Sequence, residues 1–134
     1  MKKISIFIFV IVLAISFQFC TDDPTSSNLP ENLEGVWIFK SFEDEIYTMQ
    51  KAYILEKDNS GLVFYNNGKI VERKNSGWCG TPPVSYSNFD GSWKSESGNK
   101  LNIKVGYWGG TEKYTIEIIS LTGSNFIYKR NYIY

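Results

Sequence analysis

Leu33-Glu34-Gly35-Val36-Trp37-Ile38-Phe39-Lys40-Ser41-Phe42 is the stretch whose reading decides the fold. In an extended chain Trp37, Phe39 and Ser41 share one face, and Val36, Ile38, Lys40 and Phe42 the other. Glu43-Asp44-Glu45 ends this first strand. Seven further runs follow it: Lys51 to Lys57, Leu62 to Tyr65, Lys69 to Lys74, Phe89 to Ser95, Leu101 to Val105, Lys113 to Leu121 and Asn125 to Tyr132. Turn-forming residues separate most of them, among them Asp58-Asn59-Ser60-Gly61, Asn66-Asn67-Gly68, Glu96-Ser97-Gly98-Asn99 and Thr122-Gly123-Ser124. No segment longer than a turn has helical spacing.

Eight short strands joined chiefly by hairpins predict an all-β fold, a small eight-stranded up-and-down antiparallel barrel, with a two-sheet β-sandwich as the competing architecture. In the barrel the first strand is expected to close against the eighth, which removes both exposed sheet edges. One long connection interrupts the meander, from Asn75 to Asn88, and its glycines and the Pro82-Pro83 pair argue against a regular strand there.

Upstream of the first strand the composition changes. Met1-Lys2-Lys3 is a short positive start, and Ile4 to Phe19 is almost continuously apolar, too short for the roughly 20 residues of a spanning helix. This is the pattern of a secretory signal. The apolar run stops at Cys20, and Thr21-Asp22-Asp23 follows. The arrangement resembles a bacterial lipoprotein signal, which implies lipidation of Cys20; Phe17-Gln18-Phe19 stands where small residues usually precede the cysteine. The acidic pair behind Cys20 resembles the surface-export signal of Bacteroidetes lipoproteins. The expected organisation is a signal peptide over 1–19, a lipidated cysteine and polar tether over 20–32, and one domain over 33–134.

The chain contains 14 basic and 14 acidic residues. Loss of 1–19 takes Lys2 and Lys3 from the first group and nothing from the second, leaving a net charge of −2. No basic face is expected, so nucleic acid is not a predicted partner. There is no histidine, which removes Ser-His-Asp and Cys-His nucleophilic sites and His-containing zinc sites. With Cys20 lipidated, Cys79 is left as either a buried small apolar residue or a reactive thiol. Glu43-Asp44-Glu45 with Asp58 offers oxygen ligands for calcium, but a solvated charge run is the simpler reading. No metal, no cofactor and no catalytic residue is predicted.

Gly35-Val36-Trp37, the Phe64-to-Gly68 hairpin, Gly91-Ser92-Trp93, Leu101-Asn102-Ile103 and the Tyr114-to-Leu121 run, in that order, resemble the small lipocalin-like domains of Bacteroidetes lipoproteins. The resemblance spans nearly all of Leu33 to Tyr132. It implies that Trp37 plugs one end of the barrel, with Arg130 or Lys129 of the last strand lying across its ring. The residues offered for ligand binding are Trp78, Tyr86 and Trp108, aromatics on or beside glycine- and proline-rich loops. For Trp78 and Cys79 the simpler alternative is a plug tucked under the loop.

Together these readings predict a non-enzymatic, lipid-anchored lipoprotein of the outer membrane, and the resemblance to a surface-export signal implies exposure at the cell surface. Its anchor partner is the membrane. Its expected ligand is a small apolar or amphipathic molecule, or a glycan segment. The alternative is a structural or protein-interaction subunit with a filled barrel.

Overall fold

A computed structural model describes residues 28–134. The signal segment, Cys20 and the tether through residue 27 lie outside the described residues. Eight strands form: β1 (Gly35–Glu43), β2 (Ile46–Ala52), β3 (Gly61–Phe64), β4 (Lys69–Asn75), β5 (Tyr86–Ser95), β6 (Lys100–Tyr107), β7 (Gly110–Leu121) and β8 (Asn125–Tyr132). Every pairing is antiparallel, and the sheet closes into a single barrel. The expected eight-stranded antiparallel barrel is therefore the fold, and the sandwich is not.

From β3 to β8 each strand pairs with its successor, an up-and-down meander. The seam differs from the expected one. β2 pairs with β8, and β1 lies between β2 and β3. The cause is local: Asp44 and Glu45 both adopt positive φ, 49° and 66°, the geometry of a tight hairpin turn. The chain thus folds back at once, and the second strand begins at Ile46 rather than at Lys51.

Residues 53–57, whose alternation reads as strand, and the turn residues 58–60 together carry the chain across β1. Gly61 shares the outward face with its partner Ile38. A Cβ built on Gly61 would lie 2.7 Å from the Leu55 side chain, so the crossing passes over the outside of the sheet. Ile38 is consequently buried although it is not part of the interior cluster. Asn59 ties the crossing down, its amide donating to the Phe39 carbonyl at 3.2 Å.

The barrel has two unlike ends. At one end lie the β3–β4, β5–β6 and β7–β8 turns together with residues 29–34; at the other lie the β1–β2 and β6–β7 turns and the long β4–β5 connection. An eight-stranded barrel is just wide enough for side chains to fill it. The first end is filled. Trp37, Phe64, Trp93, Leu101, Ile116 and Phe126 are among its buried residues, with Leu33 beneath them and Leu29 packed against the cluster.

Both buried indoles satisfy their N–H donors, as burial requires. Trp37 donates to the Leu33 carbonyl at 2.8 Å and Trp93 to the Tyr65 carbonyl at 2.9 Å. The cation over Trp37 is Lys51 of β2, with Nζ 4.4 Å from the ring centroid. This corrects the expectation of Arg130 or Lys129: because β2 replaces β8 beside β1, a β2 residue faces the indole. Lys51 also donates to the Glu34 carbonyl, tying the incoming chain across this end.

Two backbone details position the strands. In the β3–β4 turn only Gly68 takes positive φ, 86°, so Asn67 contributes through its side chain, which accepts from the Lys69 amide at 3.1 Å. At Gly91 the β6 backbone comes so close that a Cβ would lie 2.4 Å from the Lys104 carbonyl oxygen. In β7 a register shift between Ile118 and Ser120 lets Ile118 and Leu121 both pack against the core, the effect of a bulge.

Candidate functional site

Inward-facing positions change character along the strands. On β8 they run Phe126, Tyr128, Arg130, Tyr132 towards the second end; on β4, Ile70, Glu72, Lys74; on β7 in the opposite chain direction, Ile116, Tyr114, Glu112. Apolar residues thus fill the closed end, and charged groups take over near the open one. The result is a buried ionic cluster under a cavity.

Arg130 Nη1 lies 2.9 Å from Glu72 Oε1, with side-chain exposures of 8% and 5%. Glu72 Oε2 accepts from Tyr114 Oη at 2.9 Å and from Lys74 Nζ at 3.1 Å. Lys74 pairs in turn with Glu112. The Arg130 guanidinium lies 4.1 Å from the Tyr114 ring centroid and 5.0 Å from that of Tyr47, cation–π contacts that burial strengthens. Nη2 donates to Tyr128 Oη at 3.3 Å. Arg130 Nε is buried without a hydrogen-bond partner.

Burial by itself pushes the Glu72 carboxyl up, but the charges of Arg130 and Lys74 and the hydrogen bonds from Lys74 and Tyr114 outweigh it and hold Glu72 below the ordinary carboxylate value. Burial drives the Tyr128 hydroxyl up to about 12, and the Tyr114 hydroxyl well above its ordinary value. Ion pairs join the carboxylates of Glu72 and Glu112 to Lys74 and Arg130, beside the phenols of Tyr114 and Tyr128, which their raised values keep neutral at neutral pH.

Above this cluster opens a cavity of about 440 Å³, lined by these four charged residues, by Arg73 and by aromatics that include Tyr47, Trp78, Tyr107 and Trp108. Trp78 and Trp108 stand at its rim, 81% and 55% exposed. Tyr107 meets Trp108 edge to face at 5.6 Å between centroids. A ladder of rings, Phe42, Tyr47, Tyr128 and Phe126, descends from the rim into the core at spacings of 4.6, 5.1 and 4.6 Å.

The structure brings two of the three residues offered for ligand binding, Trp78 and Trp108, to one cavity. Tyr86 is not among its lining; it begins β5, paired with Asn75. The plug alternative is corrected: Trp78 and Cys79 are exposed rather than tucked under the loop. The loop is held by its own bonds, from Asn75 Nδ2 to the Cys79 carbonyl at 2.9 Å and from Ser76 to Ser85. The Cys79 thiol is lowered by hydrogen bonding with Thr81. Arg130, expected beside Trp37, instead lies at the cavity floor.

Compared with known proteins, the chain matches no family model, no curated protein and no solved structure. Its functional reading therefore rests on the geometry of this end of the barrel. Among the described residues no group of three or more acidic or cysteine side chains could hold a metal ion. In the acidic turn Glu45 pairs with Lys129 at 2.6 Å.

The sequence reading does not offer Glu72, Glu112 or Lys74 as site residues, and it offers Arg130 only as the partner of Trp37, because charges in a strand are ordinarily read as its solvent face. A signal was present: Glu72 and Lys74 continue the alternation of Ile70, and Arg130 that of Phe126 and Tyr128. Periodicity of two assigns them to the inward face.

Proposed function

We propose that this chain is a non-enzymatic binding module with a lipocalin-like barrel, which takes a small molecule or glycan segment into the open end. The observation that carries the reading is the cavity, with its aromatic rim and polar floor. Its volume falls within the range of small-molecule pockets, about 300–1,000 Å³. Because the other half of the barrel is packed solid, the cup is shallow and suits a compact ligand rather than a long chain.

The signal-like start and Cys20 support attachment to the outer membrane through a lipidated Cys20, and Thr21-Asp22-Asp23 supports export of the anchored chain to the cell surface. Replacement of Cys20 by Ser is expected to release the protein from the membrane fraction, and continued attachment would refute lipidation there. Binding is tested by thermal shift of the full-length chain against panels of soluble glycans and amphipathic small molecules. A rise in Tm that disappears in Trp78→Ala/Trp108→Ala is expected; no rise with any member would overturn the reading.

A second reading, a protein-interaction subunit, is favoured by Tyr53 and Ile54, which stand 100% and 75% exposed on the crossing segment. It predicts that Tyr53→Ser/Ile54→Ser abolishes co-purification of an envelope partner while leaving Tm unchanged.

A further inference from the structure

We propose that the ligand of the open end is a neutral, hydroxyl-rich molecule, a sugar ring or short neutral glycan, rather than an anionic or fatty one. This rests on the binding-module reading and names the ligand class of that site.

The first observation is charge balance. The cavity floor carries two carboxylates, Glu72 and Glu112, and two cations, Lys74 and Arg130, joined in one chain of ion pairs. Arg73 also borders the cavity, but it alternates with Glu72 and Lys74 along β4, and its guanidinium donates to Asn88 and the Lys57 carbonyl. An arriving carboxylate or phosphate would lose its hydration and meet floor cations already neutralised by carboxylates; to draw Arg130 away it would leave the buried Glu72 carboxylate, 5% exposed, without its guanidinium. Uncompensated burial of that kind is heavily disfavoured. A neutral ligand leaves every ion pair intact.

The second observation is the unused donor. Arg130 is nine-tenths buried, lines the cavity, and its Nε–H lacks an acceptor. Nε is itself out of contact with solvent, so a ligand hydroxyl or ring oxygen becomes its acceptor where the guanidinium turns toward the cavity. Carboxylates are acceptor-only, with lone pairs for several donors, so Glu112 can also receive a ligand hydroxyl. A group that both donates and accepts suits this floor; a hydrocarbon tail does not. The third observation is the wall, where Trp78 and Trp108 offer exposed indole faces on which the C–H face of a sugar ring can pack.

The test is calorimetric titration of the full-length chain with matched probes: neutral gluco-, xylo- and N-acetylglucosamine oligosaccharides, oligogalacturonate of the same length, and laurate. At least one neutral series is expected to bind, and the uronate at least tenfold more weakly. Glu112→Gln removes one negative charge from the floor and is expected to narrow or reverse that preference. Tighter binding of the uronate or laurate by the unaltered protein would overturn the neutral-ligand assignment and leave the binding-module reading standing. An unchanged preference in Glu112→Gln would also overturn it. Failure of every probe, together with failure of the broader thermal-shift panels, would overturn both.

Discussion

The two ends of this barrel are built from the same strands, and they differ in what the inward positions carry. At the closed end Trp37, Phe64, Trp93 and Phe126 exclude water and each other's alternatives, and Lys51 and Leu33 seal the base. At the open end the same alternation delivers Glu72, Lys74, Glu112 and Arg130 beneath a cavity. Apolar burial stabilises in proportion to area, whereas a buried ion pair contributes little net stability compared with apolar side chains of the same shape. The comparison teaches that one end makes the fold and the other is free to make a site.

Aromatic truncation is the strongest way to break that contrast. Trp37→Ala is expected to cost about 3–5 kcal/mol, and Trp78→Ala at the rim no more than about 0.5 kcal/mol, read from urea midpoints. Equal losses would erase the distinction between the ends. Next comes Gly91→Ala, whose Cβ would collide with the β6 backbone rather than with a flexible side chain; a loss of about 1–3 kcal/mol is expected.

Titration probes the open end from both sides of neutral pH. Because the folded-state pKa of Glu72 lies below the ordinary value of 4.5, its stabilising effect is fully present above that value and is lost as pH falls through the folded one. Glu72→Gln should therefore flatten the acid limb of a Tm-against-pH curve. For Tyr128, raised from 10.0 to about 12, the sign reverses: stability present below pH 10 is lost as pH rises towards 12, and Tyr128→Phe should soften that alkaline loss.

Smaller still is the effect of surface position on a lysine. Lys51→Met removes the cation over Trp37 and is expected to cost about 0.5–2 kcal/mol, whereas Lys129→Met breaks an exposed, solvent-screened pair with Glu45 and should leave the urea midpoint unmoved.

Much of the architecture was legible in the sequence. The hairpins from Leu62 onward announce themselves through turn residues and clean alternation, and β8 has the expected bounds. The first hairpin was not legible, because Asp44 and Glu45 carry its positive φ without a glycine, and because the alternating 51–57 run imitates a strand. Once β2 was misplaced, the barrel seam and the cation over Trp37 followed wrongly. Of the site, the tryptophans at the rim could be found from their loops. The charged floor could not be found from residue type, since only the closure of the barrel turns an alternating charge into a buried one.

The central claim is that the open end's polar floor serves binding and not folding, and one double variant tests it directly. In Glu72→Leu/Arg130→Met both partners are replaced by apolar side chains, so no charge is left unpaired. An unchanged or higher Tm is expected, as apolar replacement of a buried pair often gives, together with at least a tenfold loss of affinity for the neutral oligosaccharide bound by the unaltered protein. A Tm that falls as far as in Trp37→Ala, with that affinity retained, would contradict it.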